Sequence, residues 1–240
     1  MTGQASAAAA ATATAGTAAA AAATAGSAAA GSSARPRVGE PLKLLRFHLS
    51  GHSHRAELFL SLLGLPATLV DVDLRRREQK SPQHLALHPF GQVPVLQDEG
   101  VTIWDSNAIL VYLATRYGAE HWLPRDPVGA AAVQAWLSAA AGPLAFGPAA
   151  ARAMKLFGAR YDAVEVKARA ESLLAVMQAE LTRRRFLAGD LPTIADIANY
   201  TYVAHAPEGG ISLEPYPHVR DWLARIEALP GFVPMQGSSS

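Results

Sequence analysis

In the first half of the chain, segments whose apolar residues have the spacing of strands alternate with segments whose apolar residues have the spacing of helices. Residues 42–48 (LKLLRFH) and 68–74 (TLVDVDL) are short apolar segments, the second β-branched and alternating, and both are predicted strands. Between them, apolar side chains recur at helical spacing over residues 53–63, and Gly64 ends that predicted helix. A strand–helix–strand order predicts that the two strands run parallel.

A predicted hairpin and a further helix follow. Residues 93–97 and 101–104 flank the turn sequence Asp98-Glu99-Gly100, which predicts an antiparallel pair. Residues 107–117 again show helical spacing, and a short helical turn is predicted before Pro89. The predicted order β-α-β-α-β-β-α gives a mixed four-stranded sheet with helices packed on it, which is the thioredoxin-like arrangement.

The second half of the chain predicts helices only. Predicted helices cover residues 129–141, 150–157, 162–185 and 217–229, and the sequence TIAD at 193–196 has the form of a helix cap before a further apolar run. We therefore expect a thioredoxin-like domain at 40–118, a linker at 119–127 and an all-helical domain at 128–235.

Composition sets the N-terminus apart and narrows the chemistry. Residues 1–34 hold 19 alanines and no charge, so residues 1–37 are expected to be a low-complexity, disordered extension. A net charge of +1 offers no footprint for nucleic acid or an anionic membrane. Residues 128–151 are predicted to be a bent, buried helix pair rather than a membrane span, and we expect a cytoplasmic protein. Without cysteine, any thiol chemistry requires a thiol from a ligand.

Four motifs occur in order on this predicted framework. They are residues 49–55 (LSGHSHR), 88–96 (HPFGQVPVL), 105–109 (DSNAI) and 186–197. The last contains FLAGD at 186–190 and TIADI at 193–197. On these motifs the chain resembles the bacterial, serine-type glutathione S-transferases, and the resemblance covers about 190 of the 240 residues. The resemblance implies glutathione as co-substrate and no metal.

By this resemblance, Ser50 is the expected catalytic residue. It follows the first strand and precedes a helix, where serine-type relatives carry their catalytic hydroxyl. A hydroxyl that donates to the glutathione sulfur favours the thiolate and lowers the thiol pKa. Ser53 is the alternative donor, although we expect it to act as a helix cap.

The resemblance also implies the residues that bind glutathione. The peptide between Val93 and Pro94 is expected to be cis, which lets the Val93 backbone pair with the ligand as an added strand would. Asp105 and Ser106 are expected at the γ-glutamyl end, with Ser106 capping the following helix. Gln92 is expected to contact the γ-glutamyl group, and Lys80 is expected to contact the glycine carboxylate.

The expected function is conjugation of glutathione to a small hydrophobic electrophile by a homodimer. Candidates for the second-substrate pocket are Phe146, Met154 and Phe157, which are also plausible core residues. Disulfide or peroxide reduction at the same site, and a non-catalytic binding or assembly module, remain alternatives. His48, His52 and His54 lack a nearby acid or cysteine and are not expected to bind a metal. Whether His52 or His54 influences the charge near the thiol is left open by the sequence.

Overall fold

A mixed four-stranded sheet forms the first part of the fold, and its order is β2-β1-β3-β4. The computed structural model describes residues 42–237. The strands are β1 (Leu42–Arg46), β2 (Ala67–Asp71), β3 (Val95–Asp98) and β4 (Val101–Trp104). The β1 strand pairs parallel with β2 and antiparallel with β3, and β3 pairs antiparallel with β4. The predicted mixed sheet is confirmed.

Eight α-helices surround and follow this sheet within the described residues. They are α1 (Gly51–Leu62), α2 (Pro82–Leu87), α3 (Ser106–Tyr117), α4 (Pro127–Ala139), α5 (Pro148–Phe157), α6 (Ala163–Leu181), α7 (Ile194–Ala204) and α8 (Pro217–Glu227). The fold class, a thioredoxin-like domain followed by an all-helical domain, is confirmed. The exact domain limits stay predictions, and the alanine-rich extension at 1–37 lies outside the described residues.

Two elements begin at other residues than predicted, and both shifts affect the site. Ser50, not Ser53, is the N-cap of α1, so the expectation that Ser53 caps this helix is wrong. The predicted start was late because Ser50 and Ser53 are equally suitable cap residues in sequence. The β3 ladder begins at Val95 rather than Val93, since Pro94 has no N–H to donate to it.

The segment from α4 to α5 is one bent helical run. A π-helical turn at Ala140–Leu144, which contains Pro143, joins the two helices. Of the 18 consecutive residues with the highest hydropathy in this run, only 22% are buried, so the prediction of a buried helix pair is wrong. Many of these residues are alanine, which tolerates exposure because its side chain is small. By length and composition this run, Pro127–Phe157, is also able to cross a membrane. One such run is weak evidence for a membrane span, and Pro143 lies in the π-helical turn within it.

The α7 helix is the central element of the helical domain. Residues Ile194–Val203 are all buried, and the helix packs against α1, α3 and α4. Its start carries the predicted capping box, in which Thr193 and Asp196 satisfy each other's backbone N–H groups. Because α7 lies directly against α1, side chains from the helical domain reach the end of β1.

Candidate active site

Two cavities adjoin at the start of α1, and Ser50 and Leu74 line both of them. The smaller, about 340 Å³, is named here the polar cavity, and it is lined by Ser50, His52, Leu74, Gln79, Lys80, His88, Gly91, Gln92, Val93, Asp105 and Ser106. The larger, about 640 Å³, is named the apolar cavity, and it is lined by Phe47, Leu49, Ser50, Leu74, Arg75, Ala149, Arg152, Ala153, Leu156, Phe157 and Tyr202. A group held at Ser50 is therefore accessible from both spaces.

Ser50 occupies the N-terminus of α1 in an extended conformation. Its Oγ accepts a hydrogen bond from the Ser53 N–H at 3.3 Å, and its own hydroxyl proton can be donated to Tyr202 or to a ligand. The first N–H groups of α1 add a positive end of the helix dipole at the same place. Ser50 is thus placed to stabilise a negative charge in either cavity.

Ser53 lies in a different environment. Its side chain is 1% exposed, and its Oγ accepts from the Phe47 N–H at 3.1 Å. It lines neither cavity. In this structure Ser53 ties α1 to the end of β1, whereas Ser50 faces the open space.

The loop before β3 is fixed by contacts from α2 and from the turn that precedes α2. The Val93–Pro94 peptide is cis, as predicted, and Val93 lies just beyond the end of the β3 ladder. The Gln92 carbonyl accepts from His84 Nε2 at 2.7 Å. Lys80 Nζ donates to the Phe90 carbonyl at 2.8 Å. These contacts hold the Val93 backbone and the Gln92 side chain at the edge of the polar cavity.

The turn between β4 and α3 places two of the predicted residues on the same wall. Asp105, not Ser106, is the N-cap of α3, and its Oδ1 accepts from the N–H groups of Asn107 and Ala108 at 2.9 Å each. Ser106 is the first residue inside the helix, so the prediction that it caps α3 is wrong. Asp105 has a φ of 75°, a strained value for a residue with a side chain, which turns the chain into the cap position.

Ser106 is held by a buried arginine that the sequence analysis did not identify. Arg55 is 1% exposed, and its Nη1 donates to Ser106 Oγ at 3.1 Å and to Asn107 Oδ1 at 2.8 Å. Among the described residues, its Nε and Nη2 have no hydrogen-bond partner. Burial lowers the pKa of Arg55 to about 10, so the group is still charged at neutral pH. The polar cavity therefore has a buried cation below the start of α3.

His52 is a neutral imidazole on the same wall. Burial, and secondly the charge of Arg55, lower its pKa to about 3. Its Nδ1 lies 3.3 Å from Ser106 Oγ, and its ring meets the edge of the Tyr202 ring at 5.0 Å between centroids. Because Arg55 donates to Ser106, the Ser106 hydroxyl proton is available to His52 or to a ligand.

His54 belongs to the core rather than to the site. Its Nδ1 lies 2.8 Å from Thr201 Oγ1 and its Nε2 2.9 Å from the Val233 carbonyl, so it links α1, α7 and the C-terminal segment. Burial lowers its pKa to about 4. Within residues 42–237, no group of three or more His, Asp or Glu side chains is arranged to hold a metal ion.

Tyr202 and Arg152 bring the helical domain into the site. Tyr202 is 8% exposed, and burial raises the pKa of its hydroxyl. This rise is partly offset by the positive charges of Arg55 and Arg152, and by hydrogen bonds from the His52 backbone N–H and the Ser50 hydroxyl. Arg152 Nη1 donates to the Leu49 carbonyl at 2.7 Å. Neither residue belongs to the sequence motifs, and only the long-range packing of α5 and α7 brings them to Ser50.

Of the three residues predicted for the second-substrate pocket, Phe157 lines the apolar cavity. Phe146 lines a separate cavity of about 270 Å³ with Tyr161, and Met154 is partly buried against the core. The π-helical turn between α4 and α5 changes the direction in which the following side chains point. Helical spacing in the sequence does not reveal this change.

The comparisons with known proteins agree with this geometry. The N-terminal domain family of glutathione S-transferases matches residues 40–115, and the C-terminal domain family matches residues 139–230. A probable glutathione S-transferase of Oryza sativa subsp. japonica, GSTF2, is 34% identical over 203 residues, which are 79% of this chain and 93% of that protein. Glutathione S-transferase 3 of Zea mays is 36% identical over 209 residues, 80% of this chain and 91% of that protein.

Solved structures give the same family. The crystal structure of a glutathione S-transferase from Pseudomonas fluorescens Pf-5 superposes with a TM-score of 0.77 at 33% identity. The similarity covers 82% of this chain and 99% of that one. The likeness therefore includes both the thioredoxin-like and the helical part.

Proposed function

The chain belongs to the glutathione S-transferase family and is a transferase, and on that premise we propose that it activates the glutathione thiol as a thiolate and conjugates it to a hydrophobic electrophile. One observation carries the proposal: Ser50 lines both the polar and the apolar cavity. A thiol held in the polar cavity at Ser50 faces an electrophile held in the apolar cavity.

Glutathione binding is assigned to the residues around the polar cavity. Ser106, supported by Arg55, receives the γ-glutamyl carboxylate, while Asp105 and Gln92 meet the remaining polar atoms of that end. The Val93 N–H and C=O pair with the cysteinyl backbone as an added strand would. Lys80 meets the glycine carboxylate. This places the sulfur of the peptide near Ser50.

Activation of the sulfur is assigned to Ser50. A free thiol has a pKa near 8.5 and is only a few per cent ionised at neutral pH. The Ser50 hydroxyl donates to the sulfur, and the helix α1 N–H groups add a favourable field, so the thiol proton is released to solvent. The thiolate then attacks the electrophilic carbon, a C–S bond forms, and the leaving group departs with its electron pair.

The test combines binding with turnover on three substrate types. The full chain is loaded on immobilised glutathione, and kcat/KM is measured with 1-chloro-2,4-dinitrobenzene, hydroxyethyl disulfide and cumene hydroperoxide. We expect retention and conjugation of the aryl chloride. Retention with turnover of only the disulfide or the peroxide would instead favour a glutathione-dependent reductase or peroxidase.

We further propose a homodimer. Phe90 is 65% exposed and contacts Trp104, itself 41% exposed, at 5.7 Å between ring centroids. His88, itself buried, packs against both rings from below, so Phe90 and Trp104 form one exposed aromatic pair. Exposed clusters of this kind are typical of association sites. Sedimentation of the wild type and of Phe90→Ser tests this: we expect a dimer for the first and a larger monomer fraction for the second.

A cytoplasmic location and a role in detoxification are the remaining parts of the proposal. The absence of cysteine fits a protein that needs no disulfides. An apolar cavity of about 640 Å³ fits a range of small xenobiotic electrophiles. Fractionation of the native organism's cells, followed by detection of the protein, tests the location.

A further inference from the structure

We propose that the apolar cavity selects aromatic electrophiles that carry a negatively charged group, such as a carboxylate, on the reacting ring. The inference rests on the proposed function, because it names the substrate class of the same site. It draws on two properties of the cavity wall: a pair of aromatic rings, and two arginines without an acidic residue among the described lining residues.

The aromatic pair favours a flat substrate. Phe47, at the end of β1, and Phe157, at the end of α5, have ring centroids 6.3 Å apart and planes tilted by 55°. Phe47 is 8% exposed, whereas Phe157 is 52% exposed. An exposed phenylalanine beside a buried one gives an incoming ring an apolar surface to cover. An aromatic electrophile fits this wall better than a short alkyl halide, which would leave Phe157 in water.

Arg152 contributes unused hydrogen-bonding capacity. Its side chain is 2% exposed, its Nε donates to Glu208 Oε2 at 2.6 Å, and its Nη1 donates to the Leu49 carbonyl. Among residues 42–237, Nη2 has no partner. Glu208 offsets most of the charge of Arg152. Arg152 therefore contributes mainly hydrogen-bond donors to the cavity wall next to Leu49 and Ser50.

Arg75 contributes the charge that is not offset. It is exposed at the edge of the apolar cavity and forms no ion pair within the described part of the chain. The nearest acid in sequence, Asp73, accepts from the Arg75 backbone N–H and pairs its carboxylate with the Arg76 side chain at 3.6 Å. Arg75 therefore keeps its guanidinium available to an anion on a ligand in the cavity.

The chemistry remains nucleophilic aromatic substitution. The glutathione thiolate adds to the ring carbon that bears chloride, the C–S bond forms, and the C–Cl bond breaks as chloride leaves with the electron pair. The carboxylate takes no part in this step. It binds to Arg75 in the ground state and in the transition state, so its effect is expected mainly in KM.

The experiment compares two substrates of nearly the same size and shape, one of which carries a negative charge. They are 4-chloro-3,5-dinitrobenzoate and 4-chloro-3,5-dinitrobenzamide, and each kcat/KM is divided by the uncatalysed rate constant with glutathione, which removes the difference in ring reactivity. For the wild type we expect a normalised preference of about twofold to fivefold for the carboxylate, the size of one ion pair with an exposed arginine. A ratio of one or less overturns the inference.

Arg75→Gln and Arg76→Gln form a matched pair. Each removes one positive charge from the same exposed loop, but Arg76 lines neither cavity. We expect the carboxylate preference to fall toward one in Arg75→Gln and to stay at the wild-type value in Arg76→Gln, with basal turnover unchanged in the latter. An equal fall in both variants overturns the assignment to Arg75, since it would reflect the general field of the loop.

A binding measurement separates this inference from the proposed function. The two S-aryl glutathione conjugates are titrated into the wild type by calorimetry, which needs no turnover. Tighter binding of the carboxylate conjugate, by about twofold to fivefold, supports the inference even where neither substrate is turned over. Absence of turnover would reject only the proposed conjugation. Equal binding of the two conjugates overturns the inference whatever the turnover.

Discussion

The ring of Tyr202 packs directly on Gly51, so closely that a Cβ at residue 51 would lie 2.7 Å from the ring carbon that bears the hydroxyl. Gly51 is the residue after Ser50 and the first of α1, whereas Tyr202 lies near the end of α7. This contact joins the helical domain to the residue next to Ser50, which lines both cavities. The position of Ser50 therefore depends on the packing of α7.

Gly51→Ala is expected to disturb both stability and catalysis. The added methyl forces either the buried Tyr202 ring or the start of α1 to move, and overpacking of this kind costs about 1–3 kcal/mol. Gly142→Ala is the matched control, since a Cβ at residue 142 meets nothing within 4 Å. Urea unfolding and kcat/KM are measured on both. If Gly51→Ala were as stable and active as Gly142→Ala, the close contact would be excluded.

His54 makes stability depend on pH. Its pKa is about 4 in the folded protein against about 6.5 when unfolded, so the unfolded chain binds more protons between these values. Stability is therefore lost as pH falls from 6.5 through 4, by about 3 kcal/mol from this group. His54→Gln removes that titration. We expect the unfolding free energies of wild type and variant to converge as the pH falls; a difference that stays constant from pH 7 to 4 contradicts the assignment.

Asp196 is expected to be among the most sensitive positions for folding. Its carboxylate is fully buried and accepts from the Leu187 N–H, the Thr193 N–H and Trp222 Nε1 at 2.8–2.9 Å. Asp196→Ala leaves these buried donors unpaired, at about 1–3 kcal/mol each, so a total loss above about 3 kcal/mol is expected.

A surface cap provides the comparison for Asp196. Asp162 caps α6 by accepting from two backbone N–H groups on an exposed surface, and its replacement by alanine is expected to cost about 1 kcal/mol. Thermal and urea unfolding of Asp196→Ala and Asp162→Ala give the two values. Similar losses in both would show that the buried network contributes no more than an ordinary cap.

Ser106→Ala is expected to weaken glutathione binding more than the chemical step. The hydroxyl lies between Arg55 and His52 on the wall of the polar cavity, away from the apolar cavity. We expect the Kd for glutathione to rise about tenfold or more, the size of one hydrogen bond to a charged group. The bound thiol should keep its pKa. A large fall in kcat at saturating glutathione, with an unchanged Kd, would assign Ser106 to the reaction instead.

Local sequence signals predicted the parts of the site that lie within one motif. The cis peptide before Pro94, the wall formed by Asp105 and Ser106, and the position of Ser50 at the end of β1 all depend on turns of a few residues, which the sequence specifies directly. Even in these motifs the sequence did not predict which residue caps α3. Asp105 and Ser106 are both good cap residues, and only the backbone turn at Asp105 decides between them.

The residues contributed by the helical domain could not be predicted in the same way. Arg152 meets the Leu49 carbonyl 103 positions away in sequence, and Tyr202 reaches Gly51 through the packing of one helix on another. Helical spacing shows which face of a helix is apolar, but not which helix it meets. Arg55 left one local signal: it lies three and four positions before Leu58 and Phe59, so helical spacing places it on the apolar face of α1. A charge on such a face points to a functional contact.

The central claim, that Ser50 stabilises the glutathione thiolate, is tested most directly by titrating the ultraviolet absorbance of the thiolate in the enzyme–glutathione complex. Wild type, Ser50→Ala and Ser53→Ala are compared at saturating glutathione. The predicted result is a midpoint below the free value of about 8.5 in the wild type and in Ser53→Ala, and a midpoint at least about one unit higher in Ser50→Ala. An unchanged midpoint in Ser50→Ala, with a raised one in Ser53→Ala, would contradict the claim and assign the thiolate contact to Ser53.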